Sequence, residues 1–258
     1  MINESIIKKI TDVRGNVGFF CKNLNNGQAI CHNPNLMIEA ASIIKLFVMT
    51  EYFFQVHESK IDPNEKHTVS KSEKLPSCGA ITYMSDNISL SFEDLCTLMI
   101  ILSDNTATNI LISKLGMEQI NKRMADLGFH STKLNRLLFD GEAASRGIKN
   151  YTSVLDCACL LEAIYNRELV DRASSEKMLH ILSSQRLNGK IPFFLHSRTS
   201  AIVAHKTGED SGITHDVGLI IDKVPFILCY MSSEIDVPVF ERIIQDTAFE
   251  IWHELQNI

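Results

Sequence analysis

The spacing of the apolar residues changes twice along the chain and divides it into three parts. Near the N-terminus, strand-like runs at residues 17–22 and 28–32 flank Asn25-Asn26-Gly27, a composition typical of a hairpin turn. From residue 42 to about residue 186 the apolar positions recur at helical spacing. Runs rich in valine and isoleucine follow and predict three strands, at residues 201–207, 216–222 and 225–231.

Several of the predicted helices carry signs of where they lie. Residues 42–57 are apolar almost all round, which predicts a helix at the centre of the molecule. Ser91-Phe92-Glu93-Asp94 has the composition of a capping box and precedes a second apolar helix. An apolar stripe over residues 240–255 predicts an amphipathic C-terminal helix, and a short helix is predicted near residues 6–13.

These elements predict an α/β protein of the α+β kind. About five strands form a mostly antiparallel sheet, which the N-terminal and C-terminal helices cover. An all-helical domain is then inserted between the second and third strands. We place the sheet domain at residues 1–38 together with 199–258, and the inserted helical domain at residues 39–198.

Composition and charge narrow the classes of function. The 258 residues include 25 Lys and Arg against 31 Asp and Glu, a formal net charge of −6, so nothing in the charge favours nucleic acid as a partner. The longest uncharged apolar runs are too short for a membrane span. No long apolar stretch follows the N-terminal residues, so we expect no signal peptide. The compartment stays open: the chain as given is cytoplasmic, or its export segment has been removed.

Three short motifs carry candidate chemistry: Ser42-Ile43-Ile44-Lys45, Ser103-Asp104-Asn105 and Lys206-Thr207-Gly208. Each is weak alone, because S-x-x-K recurs at residues 5–8 and 174–177, and S-D-N recurs at residues 85–87. Their surroundings differ, since these other matches lie in terminal or polar segments that are typical of a solvated surface.

The first motif places a hydroxyl beside an amine. Ser42 begins the most apolar predicted helix, and Lys45 lies one turn further on the same face. A serine needs a base to become nucleophilic, and a lysine whose charge is disfavoured by burial can be that base. A helix N-terminus also offers free backbone N–H groups.

The other two motifs also have informative surroundings. Ser103-Asp104-Asn105 lies between two apolar helices, so packing on both sides would hold its hydroxyl and amide in place. Lys206-Thr207-Gly208 ends a predicted strand, and its glycine permits close approach of a substrate backbone. Alone, this last motif is more typical of an exposed strand end.

Together, in this order and on these elements, the three motifs resemble the class A β-lactamase group of the penicillin-recognising serine hydrolases. The resemblance implies that Ser42 is the acylated nucleophile and Lys45 its general base or proton relay. Ser103 would pass a proton to the leaving nitrogen, and the Asn105 side chain would hold the substrate amide.

The same resemblance implies how substrate is bound. Lys206 and Thr207, with Gly208 beside them, would bind the substrate carboxylate, and the backbone N–H groups of Ser42 and Glu209 would form the oxyanion hole. No metal or cofactor is implied. We reject a metal role for His205 and His215 because no H-x-x-x-H or H-E-x-x-H spacing is present. The seven cysteines contain no C-x-x-C pair, and we interpret them as mostly reduced.

One position departs from the class A pattern. Class A enzymes release the acyl group with a glutamate two residues beyond an arginine, but Leu138 stands two residues beyond Arg136. Asp140 and Glu142 are the nearby carboxylates. We take Glu142 as the candidate deacylation base, which must then reach the attacking water. The alternative is an exposed loop residue with no role.

The predicted function is therefore a serine β-lactamase-type hydrolase that opens a β-lactam amide through a Ser42 acyl-enzyme. The alternative is a D,D-peptidase-like or slowly deacylating penicillin-binding or sensing protein, which Leu138 favours. The expected partner is a β-lactam or a D-Ala-D-Ala-like peptide, bound by a monomer.

Overall fold

A computed structural model describes residues 2–257 of the chain. The strands are β1 Asn16–Asn23, β2 Ala29–His32, β3 Ile38–Glu39, β4 Lys66–Thr68, β5 Ser89–Ser91, β6 Tyr151–Thr152, β7 Ile202–Asp210, β8 Ile213–Ile221 and β9 Phe226–Ser233. The α-helices are α1 Glu4–Thr11, α2 Ile44–His57, α3 Phe92–Ile101, α4 Asn105–Leu115, α5 Met117–Asp126, α6 Gly141–Ser145, α7 Val154–Asn166, α8 Arg172–Ser183, α9 Pro192–Arg198 and α10 Val237–Gln256. Short 3₁₀ turns occur at Ala41–Ile43, Lys71–Glu73 and Ile81–Tyr83.

Strands from both ends of the chain form one five-stranded antiparallel sheet, in the order β2-β1-β9-β8-β7. The N-terminal hairpin supplies one edge and the last three strands supply the other. Helices α2 to α9 lie between β2 and β7 in the sequence. The predicted fold is confirmed, including the number of strands and their antiparallel arrangement.

Apolar side chains cover both faces of this sheet. Phe19 and Phe20 are neighbours on β1 and point to opposite faces, as alternation along a strand requires. Phe19 packs with Phe240 and other residues of α1 and α10. Phe20 belongs to the cluster that contains Phe47 and the rest of α2. Because α2 is buried on nearly every side, it forms the centre of the helical part, as its composition predicts.

Two local predictions differ from the structure. The strand carrying Lys206-Thr207-Gly208 continues to Asp210, so this motif lies within β7 and not at its end. Its length follows from pairing with β8, which runs from Ile202 opposite Ile221 to Asp210 opposite Ile213 and is not visible in a local pattern. Helix α2 begins at Ile44, so Ser42 lies in the preceding 3₁₀ turn.

The division into a sheet domain and an inserted helical domain stays a prediction. Within residues 2–257, no helix has both the length and the apolar character that crossing a membrane requires.

Candidate active site

Ser42 lies at a strained turn where the helical part meets the sheet. The 3₁₀ turn that contains it packs against β7. Its neighbour Ala41 has a φ of 43°, and Ser103 in the facing loop has a φ of 54°. A residue with a side chain rarely adopts this left-handed conformation, and such strain concentrates at functional sites. Both serines of the candidate motifs are thus held in or beside strained backbone.

Lys45 joins two of the sequence motifs. Its Nζ lies 3.0 Å from Ser42 Oγ, 2.8 Å from Ser103 Oγ and 2.8 Å from Asn105 Oδ1. It also lies 2.7 Å from the Ser103 carbonyl oxygen. The side chain is fully buried. A neutral amine donates two hydrogen bonds and accepts one, so it can receive the Ser42 hydroxyl proton in this arrangement.

Two effects favour the neutral form of Lys45. Burial lowers the pKa of its amine well below the ordinary value, and the nearby charge of Lys206 lowers it further. The negative charges of the Asp104 carboxylate and of the Cys78 thiolate raise this pKa, but their effects are smaller. Burial and the Lys206 charge both favour a role for Lys45 as a base.

Lys206 adds the third motif to the same group. Its Nζ lies 3.1 Å from Ser103 Oγ and 2.8 Å from the Thr207 carbonyl oxygen. Burial lowers its pKa to about 7, although the carboxylate of Asp216 raises it. Within residues 2–257, no carboxylate lies within ion-pair distance of Lys45 or Lys206. A buried ammonium without a counter-ion is costly, so the site is suited to an anionic ligand.

Asp104 holds the Ser103 loop in place. Its Oδ1 caps α4 by accepting from Ala107 N at 2.9 Å. Its Oδ2 accepts from Ala80 N at 2.7 Å and from Ile81 N at 2.9 Å. Gly79 has a φ of 119°, and a Cβ there would lie 2.2 Å from Asp104 Oδ2. Only glycine fits, and the loop carrying Cys78 is thereby pressed against the S-D-N motif.

The edge of β7 forms the opposite wall. Gln185 Nε2 donates to the His205 carbonyl oxygen at 3.3 Å, on the side away from β8. Hydrogen-bonding groups of an antiparallel strand alternate between its two sides, so the N–H groups of Thr207 and Glu209 also face away from β8. At Gly208 a Cβ would lie 3.1 Å from Ile43, so glycine lets β7 approach the Ser42 turn closely.

These parts open into a cavity of about 620 Å³, which Ser42, Asn105, Leu138 and Glu209 help to line. Leu138 enters it from a loop that asparagines hold by the backbone. Asn109 of α4 accepts from Leu138 N and donates to Leu138 O, both at 2.9 Å. Asn121 and Asn150 hold the backbone of residues 134–136 in the same manner.

Glu142 is the one predicted site residue that the structure does not bring to Ser42. Its side chain is 85% exposed and lies 3.9 Å from Arg146, and it is not part of the cavity lining. It stands on the short helix α6, which Asp140 caps by accepting from Ala143 N. The expectation that Glu142 could reach a water at Ser42 is therefore not supported, because α6 directs the carboxylate to solvent.

Other carboxylates line the cavity, namely Glu39, Asp140, Glu209, Asp210 and Glu241. Glu39 is paired with Lys149 at 2.8 Å, and Glu209 with Lys190 at 3.0 Å. Within residues 2–257, no carboxylate forms a hydrogen bond with Ser42, Lys45 or Ser103. Among these residues, no cluster of three His, Cys, Asp or Glu side chains is suited to a metal ion.

Sequence reasoning missed several residues that shape the site. Asn109 follows Asn105 by four residues, and this helical spacing after the S-D-N motif could have suggested a role. Asp216 and Lys190 carry no local signal, because only strand pairing and tertiary packing bring them near Lys206 and Glu209.

Comparisons with known proteins identify the family of this chain. The sequence model of the beta-lactamase enzyme family matches residues 2–255. β-Lactamase ROB-1 of Haemophilus influenzae is 23% identical over 249 residues, which span 93% of this chain and 80% of that protein. β-Lactamase BRO-1 of Moraxella catarrhalis is 32% identical over 108 residues, or 40% of this chain and 34% of that protein.

Solved structures give the same result for the fold. A β-lactamase from Sphaerobacter thermophilus matches with a TM-score of 0.91 at 24% identity, over 99% of this chain and 97% of that chain. A structure of PBP-A matches with a TM-score of 0.89 at 24% identity, over 99% of this chain and 96% of that chain.

Proposed function

Because this chain belongs to the beta-lactamase enzyme family, whose members hydrolyse cyclic amides, we propose that Ser42 opens a β-lactam amide and carries the acyl group as an ester. The family match confirms the resemblance that the three motifs indicate. The observation that carries the proposal is the position of Lys45 Nζ, 3.0 Å from Ser42 Oγ and 2.8 Å from Ser103 Oγ.

Neutral Lys45 takes the proton of the Ser42 hydroxyl as Oγ attacks the carbonyl carbon. The C–N bond then breaks, and Ser103 Oγ delivers a proton to the leaving nitrogen, while Lys45 and Lys206 hold this hydroxyl from two sides. Lys206 and Thr207 receive the substrate carboxylate, and Asn105 holds the acyl amide. The outward N–H of Glu209, with that of Ser42, stabilises the oxyanion, at about 3 kcal/mol per donor.

Release of the acyl group is the slow step. Leu138 cannot activate water, and Glu142 points to solvent. The second candidate function, a D,D-peptidase-like or penicillin-binding protein that keeps its acyl group for longer, is favoured by this leucine. A leucine-to-glutamate variant of PBP-A is known as an acyl-enzyme with penicillin G, which supports penicillin as a probe for this chain.

A chromogenic cephalosporin tests the proposal when absorbance and intact mass are followed together. We expect a covalent adduct on the wild-type protein that forms rapidly and is released slowly. Ser42→Ala abolishes the adduct. The matched control is Ser174→Ala, which removes the serine of another S-x-x-K match and leaves the adduct unchanged. Formation of the adduct by Ser42→Ala, or its absence in the wild type, contradicts acylation at this serine.

The variant Glu142→Gln tests whether Glu142 takes part in the release of the acyl group. Its exposed position predicts a release rate equal to that of the wild type, measured by the decay of adduct mass. A slower release returns Glu142 to the mechanism as the candidate deacylation base.

A further inference from the structure

A buried histidine joins the sheet to the segment that leads into Ser42. His215 lies on β8 directly opposite Gly208 of β7, and its side chain is completely buried. Its Nε2 lies 2.9 Å from the carbonyl oxygen of Glu39, the last residue of β3. The acyl transfer described above does not use this imidazole.

Hydrogen-bond partners fix the tautomer of the His215 ring. Its Nδ1 lies 3.1 Å from the backbone nitrogen of Ser232 on β9. A backbone N–H can only donate, so Nδ1 accepts and carries no hydrogen. Nε2 therefore holds the ring hydrogen and donates it to the Glu39 carbonyl oxygen. Burial lowers the pKa of His215 to about 4, which agrees with a neutral ring.

The Glu39 carbonyl lies at the entrance to the turn that contains Ser42. The next carbonyl oxygen, that of Ala40, accepts from Ile43 N at 2.9 Å and closes this 3₁₀ turn. Ala41, within the turn, has a φ of 43°. Backbone strain of this kind persists only where the surrounding structure holds it. The hydrogen bond from the imidazole to Glu39 supplies such support one residue before the turn begins to close.

Gly208 leaves the space in which the imidazole packs. A Cβ at this position would lie 3.0 Å from His215 Cδ2, 3.1 Å from Ile43 Cγ1 and 3.3 Å from the Ala40 carbonyl oxygen. Any side chain at position 208 would therefore press on the ring and on the turn together. The glycine of the third motif thus allows β7, the imidazole and the Ser42 turn to pack closely.

The side chain of Glu39 extends this connection to the loop that carries Leu138. Glu39 Oε2 lies 2.8 Å from Lys149 Nζ, and Glu39 Oε1 lies 3.7 Å from Arg136 Nη2. Arg136 and Lys149 stand on either side of Leu138 in the sequence. Displacement of Glu39 would therefore be transmitted both to the Ser42 turn and to the cavity wall.

We propose that His215 is a positioning residue for Ser42, which it holds beside Lys45 by donating a hydrogen bond to the Glu39 carbonyl oxygen. The inference rests on the proposed function, because Ser42 is the nucleophile in that proposal. Misplacement of a reacting group by about 1 Å can cost about 100-fold in rate. The two ring hydrogen bonds go to Glu39 and Ser232, so the loss of either should affect the chemical step more than the binding of substrate.

Two variants separate the two hydrogen bonds of the ring. His215→Gln carries its amide nitrogen near the position of Nε2 and can still donate to Glu39. His215→Asn carries its amide oxygen near the position of Nδ1 and can still accept from Ser232, but it is too short to reach Glu39. The limiting rate of acylation and the half-saturating concentration of benzylpenicillin are measured near pH 7, by rapid quenching and intact mass.

We expect His215→Gln to keep most of the limiting rate. In His215→Asn the limiting rate should fall by about 10- to 100-fold, while the half-saturating concentration stays close to that of the wild type. A histidine with only a structural role would lower the limiting rate equally in both variants. That result overturns the proposal, as does a wild-type rate in His215→Asn.

Folding of both variants is checked by circular dichroism and urea unfolding, and a similar loss of stability is expected because each loses one hydrogen bond. If His215→Asn does not fold, His215→Gln decides alone, since a tenfold loss in that variant overturns the proposal. The ¹⁵N spectrum of the wild type near pH 7 should show the hydrogen of His215 on Nε2, and a hydrogen on Nδ1 overturns the proposal as well. Absence of any adduct in the wild type refutes the proposed function itself, which is distinguishable from equal losses in variants of a protein that acylates.

Discussion

In the proposed mechanism, the side chain at position 138 determines how an acyl group leaves Ser42. Leu138 lines the cavity, and its backbone N–H and carbonyl are both bound to Asn109. A substitution there therefore changes the chemistry of the side chain while the loop keeps its support.

We predict that Leu138→Glu speeds release of the acyl group, because a carboxylate in the cavity can activate water. General-base catalysis typically contributes about 100-fold or more. The measurement is the decay of the penicillin adduct by intact mass, with steady-state turnover of a chromogenic cephalosporin. Leu138→Gln is the matched control of nearly equal shape without a base, and an equal gain in both variants would contradict the explanation.

Sequence reasoning at this scale succeeds where chemistry is local. Ser42 and Lys45 are separated by three positions in the sequence, so helical geometry alone brings them together. In the structure, Lys45 Nζ lies 3.0 Å from Ser42 Oγ. Glu142 shows the limit, because its direction depends on helix α6 and its cap, Asp140. Asp216 could not be predicted either, because its position opposite Thr207 depends on the pairing of β7 with β8.

At the scale of elements, the segment of residues 134–138 depends on three asparagines. Asn109 holds it at Leu138, where it lines the cavity, and Asn121 holds it at Leu134, whose side chain is buried away from solvent. Asn109 and Asn121 each form the same pair of hydrogen bonds with the loop backbone. They differ in position, because Asn109 binds the loop at the cavity and Asn121 binds it four residues earlier.

We predict that Asn109→Ala alters the rates of acylation and release, because the loop at Leu138 loses both of its backbone anchors. Asn121→Ala should lower stability to a similar extent, about 1 to 3 kcal/mol, while the adduct kinetics stay close to those of the wild type. Urea unfolding and adduct kinetics are measured on both. Equal kinetic effects would mean that the loop moves as one unit.

Caps and strand ends differ in how well they can be predicted. The capping box at Ser91 forms as its sequence predicts, because a cap involves neighbours along the chain. The length of β7 was underestimated, since pairing with β8 extends it.

For the whole molecule, the cluster of buried lysines has an energetic cost. The ordinary lysine pKa of 10.5 falls to about 7 at Lys206, which corresponds to about 5 kcal/mol of unfavourable burial of the charged form. Burial of this lysine therefore lowers the free energy of unfolding of the protein.

We predict that Lys206→Met raises the free energy of unfolding by a few kcal/mol near pH 6 and strongly reduces acylation. Below about pH 7 the lysine is charged in both states, so the full cost applies. Between about 7 and 10.5 only the unfolded state holds the proton, so the wild type gains stability with pH and the advantage of the variant shrinks. Urea unfolding near pH 6 and 9.5 measures this difference, with Lys8→Met as a surface control; an equal change at both pH values would contradict it.

The sheet ends at β7 with main-chain groups of Thr207 and Glu209 directed away from β8. An extended peptide lying along this sheet edge can form backbone hydrogen bonds with β7 and add a sixth strand to the sheet. Affinity gained in this way comes from backbone geometry, so it tolerates many different side chains on the bound molecule. It also means that no single substitution on β7 other than proline removes a ladder donor.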